Sequence, residues 1–98
     1  MSGVNAARGD VRVSLAGVER RLCLTLGALA EMETALEVDG FEALAGRLRA
    51  LSARDLTVIL AALLRGGGEH ALAGALDQAS IQPGEAAAAV AAAFAAAA

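Results

Sequence analysis

The sequence predicts an α+β fold that is mostly α, with an N-terminal β-hairpin followed by a small bundle of four to five helices. Apolar residues alternate with polar ones across residues 10–24, which is the period of half-buried strands. From Leu26 onward they recur every three to four residues, which is the period of amphipathic helices. A chain of 98 residues has the usual size of one domain.

Two strands joined by a turn at Ala16-Gly17 form the predicted hairpin, because glycine readily adopts the positive φ that tight turns need. One face of the hairpin is apolar, and its residues are Val11, Val13, Leu15, Val18, Leu22 and Leu24. Arg20 interrupts the pattern of the second strand. Two strands alone are marginally stable in water, so we expect a helix to cover the apolar face.

A first helix follows the hairpin without a linker. We expect Thr25 to be its N-cap, with the hydroxyl accepting a hydrogen bond from the first turn. The predicted apolar stripe of this helix is Leu26, Leu29, Met32 and Leu36. We expect the helix to end at Asp39-Gly40, where Gly40 can take the left-handed conformation of a C-cap.

Two further helices are predicted in the middle of the chain. One spans about residues 41–51, with the apolar stripe Phe41, Leu44, Leu48 and Leu51. The next begins at the capping sequence Ser52–Asp55, and it has the most regular stripe of the chain, formed by Leu56, Ile59, Leu60, Leu63 and Leu64. We expect Leu60 and Leu63 to lie in the core, and Gly66–Gly68 to end the helix.

The C-terminal part is predicted to contain a weaker helix over residues 69–79 and an alanine-rich helix with Pro83 in its first turn. Val90 and Phe94 are the large side chains of the alanine-rich helix. We expect this helix to be peripheral, held by Phe94, and available to a partner or to a second copy of the chain. The predicted segments are a flexible N-terminus (residues 1–9), a hairpin-and-helix domain (10–82) and the alanine-rich C-terminal helix (83–98).

The charge distribution argues against nucleic acid and membrane as partners. The net charge is −3, and all eight basic residues are scattered arginines, whereas nucleic-acid-binding proteins need a clustered basic patch. The longest uncharged run, residues 86–98, is too short and too alanine-rich to span a bilayer. The N-terminus lacks the apolar segment of a signal peptide, and a single cysteine suits a reducing compartment, so we expect a cytoplasmic location.

No catalytic or cofactor-binding site is predicted, so we expect a protein that is not an enzyme. The chain has no lysine, which excludes a P-loop and a Schiff-base lysine. The single histidine, His70, has no nucleophile beside it in sequence, and Cys23 fits a strand filler better than a nucleophile. One acidic cluster is a candidate metal site, but it lacks the spacing of a calcium loop; its residues are Glu31, Glu33, Glu37, Asp39 and Glu42.

Glu33 is unusual because it falls within the apolar stripe of the first helix. One interpretation is an ion pair with a hairpin arginine such as Arg20; the other is a charged anchor for a partner. We favour the ion pair. If the chain binds a partner, the candidate contact residues are Glu33, Val90 and Phe94.

The order of motifs resembles a known family. The segments that carry the resemblance are Arg8–Val11, the Gly17 turn, LTLGALAEME at residues 24–33, Ser52–Asp55, Leu64–Gly68 and the Ala93-Phe94 end of the alanine-rich helix. Over residues 8–94 the chain resembles the small tail protein of gene transfer agents and related tailed phages, which is classed as a phage tail assembly chaperone.

This resemblance implies a non-enzymatic binding protein without cofactors. Tail assembly chaperones bind the long, largely helical tape-measure protein, keep it soluble, and help to recruit subunits of the tail tube. Such an adaptor would present a groove or an apolar face to a helix of its partner. A homo-oligomer is a further expectation.

Two other functions remain open at this point. The alternative to a chaperone is a minor structural component that is retained in the tail. A helix-turn-helix regulator is weaker, because Asp55 and apolar residues stand where polar residues that read bases would be needed.

Overall fold

The computed structural model describes residues 10–97. Within this range the protein is a two-stranded antiparallel hairpin followed by five α-helices, which confirms the predicted fold class. The strands are β1 (Asp10–Leu15) and β2 (Val18–Cys23), and the helices are α1 (Leu26–Leu36), α2 (Gly40–Arg47), α3 (Ala53–Gly66), α4 (His70–Ala73) and α5 (Pro83–Ala97). Short 3₁₀ turns follow α2 at Leu48–Ala50 and α4 at Leu76–Gln78. The predicted flexible N-terminus, residues 1–9, lies outside the described residues.

The hairpin turns at Ala16 and Gly17, whose φ angles of 55° and 82° are both left-handed, as in the two-residue turns that match strand twist. Leu15 and Leu22 are fully buried on the apolar face, as predicted. The expectation that Val18 joins them is wrong, because 49% of Val18 is exposed. The reason is the placement of α5, which covers β1 more than β2 and leaves Val18, at the turn end of β2, in solvent.

Thr25 caps α1, as predicted. Its Oγ1 accepts a hydrogen bond from the Ala28 N–H at 3.0 Å. The predicted stripe is wrong at Leu26, which is 83% exposed, whereas the buried row is formed by Ala28, Met32 and Leu36. These three residues are four apart, and Leu26 lies roughly 160° around the helix from Ala28.

The end of α1 also differs from the prediction. The helix stops at Leu36, and Glu37 takes the left-handed conformation with φ 57°. The Val38 N–H then donates to the Glu33 carbonyl at 3.1 Å, which is the pattern of a Schellman cap. Gly40 does have a positive φ of 89°, but it begins α2 instead of ending α1.

Helix α3 is the centre of the core. Its predicted stripe is confirmed at Ile59, Leu60, Leu63 and Leu64, which are all buried, whereas Leu56 is half-buried. Ser52 caps the helix by accepting a hydrogen bond from the Asp55 N–H at 3.1 Å. The helix packs against α1, α4, α5 and β2, and it is the main packing partner of α1, α4 and α5.

The end of α3 lies against the backbone of β2. A Cβ on Gly66 would overlap the carbonyl oxygen of Cys23, and a Cβ on Gly67 would overlap that of Arg21. Glycine is therefore required here by close approach of two backbones as well as by the end of a helix. Gly68, with φ 88°, completes the turn.

The C-terminal helices depart from prediction in two ways. The helix expected over residues 69–79 is only the single turn of α4 and a 3₁₀ turn, with Gly74 at the end of α4. Pro83 is the first residue of α5, as predicted. However, α5 is not the peripheral helix that was expected. It packs against α3 and β1 and shares the hydrophobic core of the other elements, burying Ala86, Ala89, Val90 and Ala93. Its small side chains allow this close approach.

Core packing predicts unequal effects for two leucines. Leu63→Ala should lower the free energy of unfolding by about 2–5 kcal/mol, because Leu63 is fully buried and truncation leaves a cavity. Leu26→Ala is the matched control and should change it by less than about 0.5 kcal/mol, since Leu26 is in solvent. Urea unfolding of both variants measures the difference, and equal losses would contradict the described packing.

The contact between α3 and β2 predicts opposite effects for two glycines. Gly67→Ala should destabilise the protein by about 1–3 kcal/mol, because the methyl group has to displace the β2 backbone. Gly46→Ala, in open space on α2, should stabilise it by up to about 1 kcal/mol, because alanine loses less conformational entropy in a helix. Thermal melts of both variants test this, and a neutral Gly67→Ala would mean that α3 does not lie against β2.

Candidate protein-docking site

An apolar groove of about 300 Å³ opens on the surface between the start of α3 and the start of α5. One wall is the first turns of α3, and the other is the 3₁₀ turn after α4 with the loop that leads into α5. The residues that line it are Leu51, Ser52, Ala53, Leu56, Thr57, Leu60, Leu76, Ile81, Pro83 and Ala86. Seven of the ten are alanine, leucine or isoleucine, so the groove offers mainly hydrocarbon.

The two hydroxyl groups in the groove are already engaged. Ser52 Oγ accepts the hydrogen bond from the Asp55 N–H, and Thr57 Oγ1 donates to the Ala53 carbonyl at 2.8 Å. Each hydroxyl thus uses part of its hydrogen-bonding capacity within the first turns of α3, and polar groups are a minor part of the lining. The groove is best suited to apolar side chains, such as those along one face of a partner helix.

Glu33 is not paired with Arg20, so the favoured interpretation of this residue is wrong. Glu33 Oε2 accepts a hydrogen bond from the Gly40 N–H at 2.8 Å and thereby holds the loop between α1 and α2. Arg20 pairs instead with Glu69, with Arg20 Nη1 at 3.2 Å from Glu69 Oε1. Glu33 lies near the C-terminal end of α1, close to the loop that contains Gly40. Its carboxylate therefore reaches the Gly40 N–H and not Arg20 of the hairpin.

Val90 and Phe94 lie in different surroundings. Val90 is only 4% exposed within the core, so a partner cannot reach its side chain while α5 is in place. Phe94 is half-buried, and its ring centroid lies 6.1 Å from that of Phe41, which is 51% exposed. Neither these residues nor Glu33 lines the groove. Partner binding through these three residues stays a prediction.

One feature of the sequence is a signal for the groove. Ile81 is a large apolar residue in a short loop, between Ser80 and the Pro83 that begins α5. Loops are usually polar, so an isolated isoleucine there indicates either local packing or a binding surface. Leu56, which also lines the groove, belongs to the predicted apolar stripe of α3 and is half-buried.

Glu69 forms the main polar contact of the hairpin with the helices. Its Oε2 accepts a hydrogen bond from the Arg21 N–H at 3.1 Å, while its Oε1 pairs with Arg20. The backbone hydrogen bond, together with the two arginines, lowers the pKa of Glu69 below the ordinary value of 4.5. The carboxylate is thus held in its charged form against the outer edge of β2.

The contacts of the other ionisable and nucleophilic side chains point to structural roles and not to catalysis. Arg47 holds Asp55 with two hydrogen bonds of 2.9 and 3.2 Å, which lowers the pKa of that carboxyl. Burial raises the pKa of the Cys23 thiol, which makes it a poorer nucleophile. Over residues 10–97, no three potential ligands from His, Cys, Asp or Glu are grouped to hold a metal ion. In the same range, no helix has the length and hydropathy needed to cross a bilayer.

Comparison with known families gives a match over nearly the whole chain. The model of the family described as phage tail tube protein, GTA-gp10, matches residues 8–98. The chain belongs to this family. It is therefore a protein of phage or gene-transfer-agent tails with a structural role, which agrees with the broader part of the resemblance found in the sequence. Comparison with curated proteins and with solved structures gave no significant match.

The lowered pKa of Glu69 predicts how the fold responds to acid. A carboxyl group whose pKa is depressed on folding stabilises the protein above its ordinary pKa, and this contribution is lost as the pH falls through the folded value. Glu69→Gln should therefore be less stable than wild type near neutral pH and should lose less stability on acidification below about pH 4.5.

Thermal melts between neutral and acidic pH measure this effect. Glu42→Gln, on the exposed face of α2, is the matched control and should follow the wild-type curve. If Glu69→Gln also follows the wild-type curve at every pH, the carboxylate does not hold β2.

Proposed function

We propose that this protein is a minor structural component that stays in the mature tail and binds an apolar helix of a neighbouring tail protein in its groove. Membership of the tail family over residues 8–98 supports the location in the tail. The open apolar groove supports the mode of binding. The proposed role is non-enzymatic, and assembly would take place in the cytoplasm of the bacterial host.

The groove is the observation that carries this proposal. Leu56, Leu76 and Ile81 are half-buried around it, and Leu60 is buried at its base, so a partner would cover hydrocarbon that is now partly in water. Covering apolar surface provides binding free energy without polar groups that need matched partners. The volume of about 300 Å³ is at the small end for binding pockets and suits a few anchoring side chains.

A second candidate is an assembly chaperone that binds the tape-measure protein, helps to recruit tail-tube subunits and leaves before the particle is complete. The same groove favours it, because a long helical protein with apolar segments would offer suitable side chains. The two functions differ in retention. A structural component remains in purified particles, whereas a chaperone is found with its partner only in the assembling cell.

A groove variant tests both candidates. Leu56→Gln places an amide in the groove and should reduce the amount of protein in purified particles by about tenfold or more, as expected when an apolar anchor is lost. Leu26→Gln is the matched control, because Leu26 is an exposed leucine outside the groove, and it should be incorporated like wild type. Quantitative mass spectrometry against the tail-tube subunit gives the ratio, and thermal melts confirm that both variants fold.

The outcomes separate the candidates. Wild-type protein in particles at a fixed ratio, lost in Leu56→Gln only, supports the structural component. Wild-type protein absent from particles but recovered with the tape-measure protein from assembling cells, again dependent on Leu56, supports the chaperone instead. Equal behaviour of Leu56→Gln and Leu26→Gln in both measurements would show that the groove is not the docking site.

A further inference from the structure

The two outer edges of the hairpin differ in how they are covered. On β2, the Arg21 N–H donates to Glu69, and the carbonyl groups of Arg21 and Cys23 lie against Gly67 and Gly66. The edge of β2 is therefore closed at Arg21 and Cys23 by the end of α3 and the residue before α4. A closed edge cannot accept another strand.

The edge of β1 is open in its middle. Arg12 is opposite Arg21, and the Arg21 N–H points away from β1 towards Glu69, so this is a non-hydrogen-bonded pair of the ladder. The N–H and C=O groups of Arg12 therefore also point away from the partner strand. Because the ladder alternates, the same holds for Ser14, which is opposite Glu19.

Nothing in residues 10–97 covers these groups. Neither the Arg12 N–H nor the Ser14 N–H donates to another described residue, and both residues are exposed. At the turn the next outward N–H, that of Ala16, donates to Glu85 Oε2 at 3.1 Å. In the middle of β1 the free edge thus offers two donors and two acceptors, at Arg12 and Ser14.

We propose that this free edge pairs with the same edge of a second copy of the chain, giving a four-stranded antiparallel sheet. In the register centred on Val13, Arg12 lies opposite Ser14 of the partner subunit, and each such pair exchanges two hydrogen bonds. The two-fold axis produces the pair twice, which gives four intermolecular hydrogen bonds. This inference goes beyond the proposed function and does not involve the groove.

Charge favours a second copy in this register. A register centred on Arg12 would place arginine opposite arginine, which is destabilising. In the register centred on Val13, Arg12 faces a small serine, and beyond that serine lies Glu19 of the partner subunit, which is opposite Ser14 in its own hairpin. Neighbouring strands are about 4.8 Å apart, so arginine and glutamate would meet across roughly 10 Å by extending over the serine.

The existing contacts of Arg12 and Glu19 allow them to pair between two chains instead of within one. Within one chain Arg12 Nη1 lies 3.6 Å from Glu19 Oε2, and both side chains are mostly in solvent, so this pair is loose. On the opposite face the register places Val13 against Val13 of the partner subunit. Val13 and Val11 are half-buried in one chain, so pairing would cover the remaining apolar surface of both.

The first test concerns the backbone. The full-length protein should show a concentration-dependent dimer in analytical ultracentrifugation. Ser14→Pro removes the outward N–H without removing a hydrogen bond between β1 and β2, and it should weaken the dimer by about tenfold or more. Ser14→Ala keeps the N–H and should dimerise like wild type, and thermal melts show whether Ser14→Pro folds.

The second test concerns the charges and does not need a proline. Arg12→Glu and Glu19→Arg should each weaken self-association, because each places like charges across the interface. Mixing the two variants should restore a one-to-one complex, because every intermolecular pair is then of opposite charge. If Arg12 and Glu19 interacted only within one chain, mixing the two variants would not restore association.

Three results would overturn the proposal. One is a wild-type protein that stays monomeric at every concentration. This includes a monomer in which residues 1–9 protect the amides of Arg12 and Ser14, and a monomer whose β1 edge binds only an extended segment of another tail protein. Another is a dimer that Ser14→Pro, shown to be folded, leaves unchanged. The last is a failure of the two charge variants to associate when mixed.

Discussion

The end of α3 lies directly against the outer edge of β2, and this contact fixes the hairpin to the helices. An isolated two-stranded hairpin is marginal in water, so its stability depends on what covers it. Gly66 and Gly67 allow the two backbones to approach, and Glu69 adds a charged acceptor for the Arg21 N–H. Because this contact occupies the edge of β2, the free edge of the sheet is that of β1.

The remaining elements are arranged around α3. Its buried leucines and isoleucine contact α1 and α5, whose own buried faces are mostly alanine with Met32, Leu36 and Val90. Arg47 connects α2 to the start of α3 through Asp55 and also donates to the Leu36 carbonyl at 3.0 Å. At its N-terminal end α3 forms one wall of the apolar groove. One helix thus supports both the closed sheet edge and the surface proposed to bind a tail protein.

Local signals in the sequence were sufficient for the hairpin, the Thr25 cap and the stripe of α3, because each depends on neighbouring residues or on a regular period. The same signals failed where the deciding contact is distant in sequence. Arg21 and Glu69 are 48 residues apart, so the true partner of Arg20 and the role of Glu69 were not apparent. The groove also joins segments distant in sequence. The left-handed Glu37 was missed for another reason, since Gly40 is the residue that usually ends a helix.

The apolar groove and the open edge of β1 are the two separate surfaces that we propose for contacts with other subunits. Both surfaces depend on what α3 and α5 cover, and their most basic consequence is the difference between the edges of β1 and β2. Hydrogen exchange of individual amides, followed by NMR at a concentration where the protein is monomeric, tests it most directly. Slow exchange is expected at the Arg21 N–H, which donates to Glu69, and fast exchange at those of Arg12 and Ser14. Exchange at Arg21 as fast as at Arg12 would contradict it.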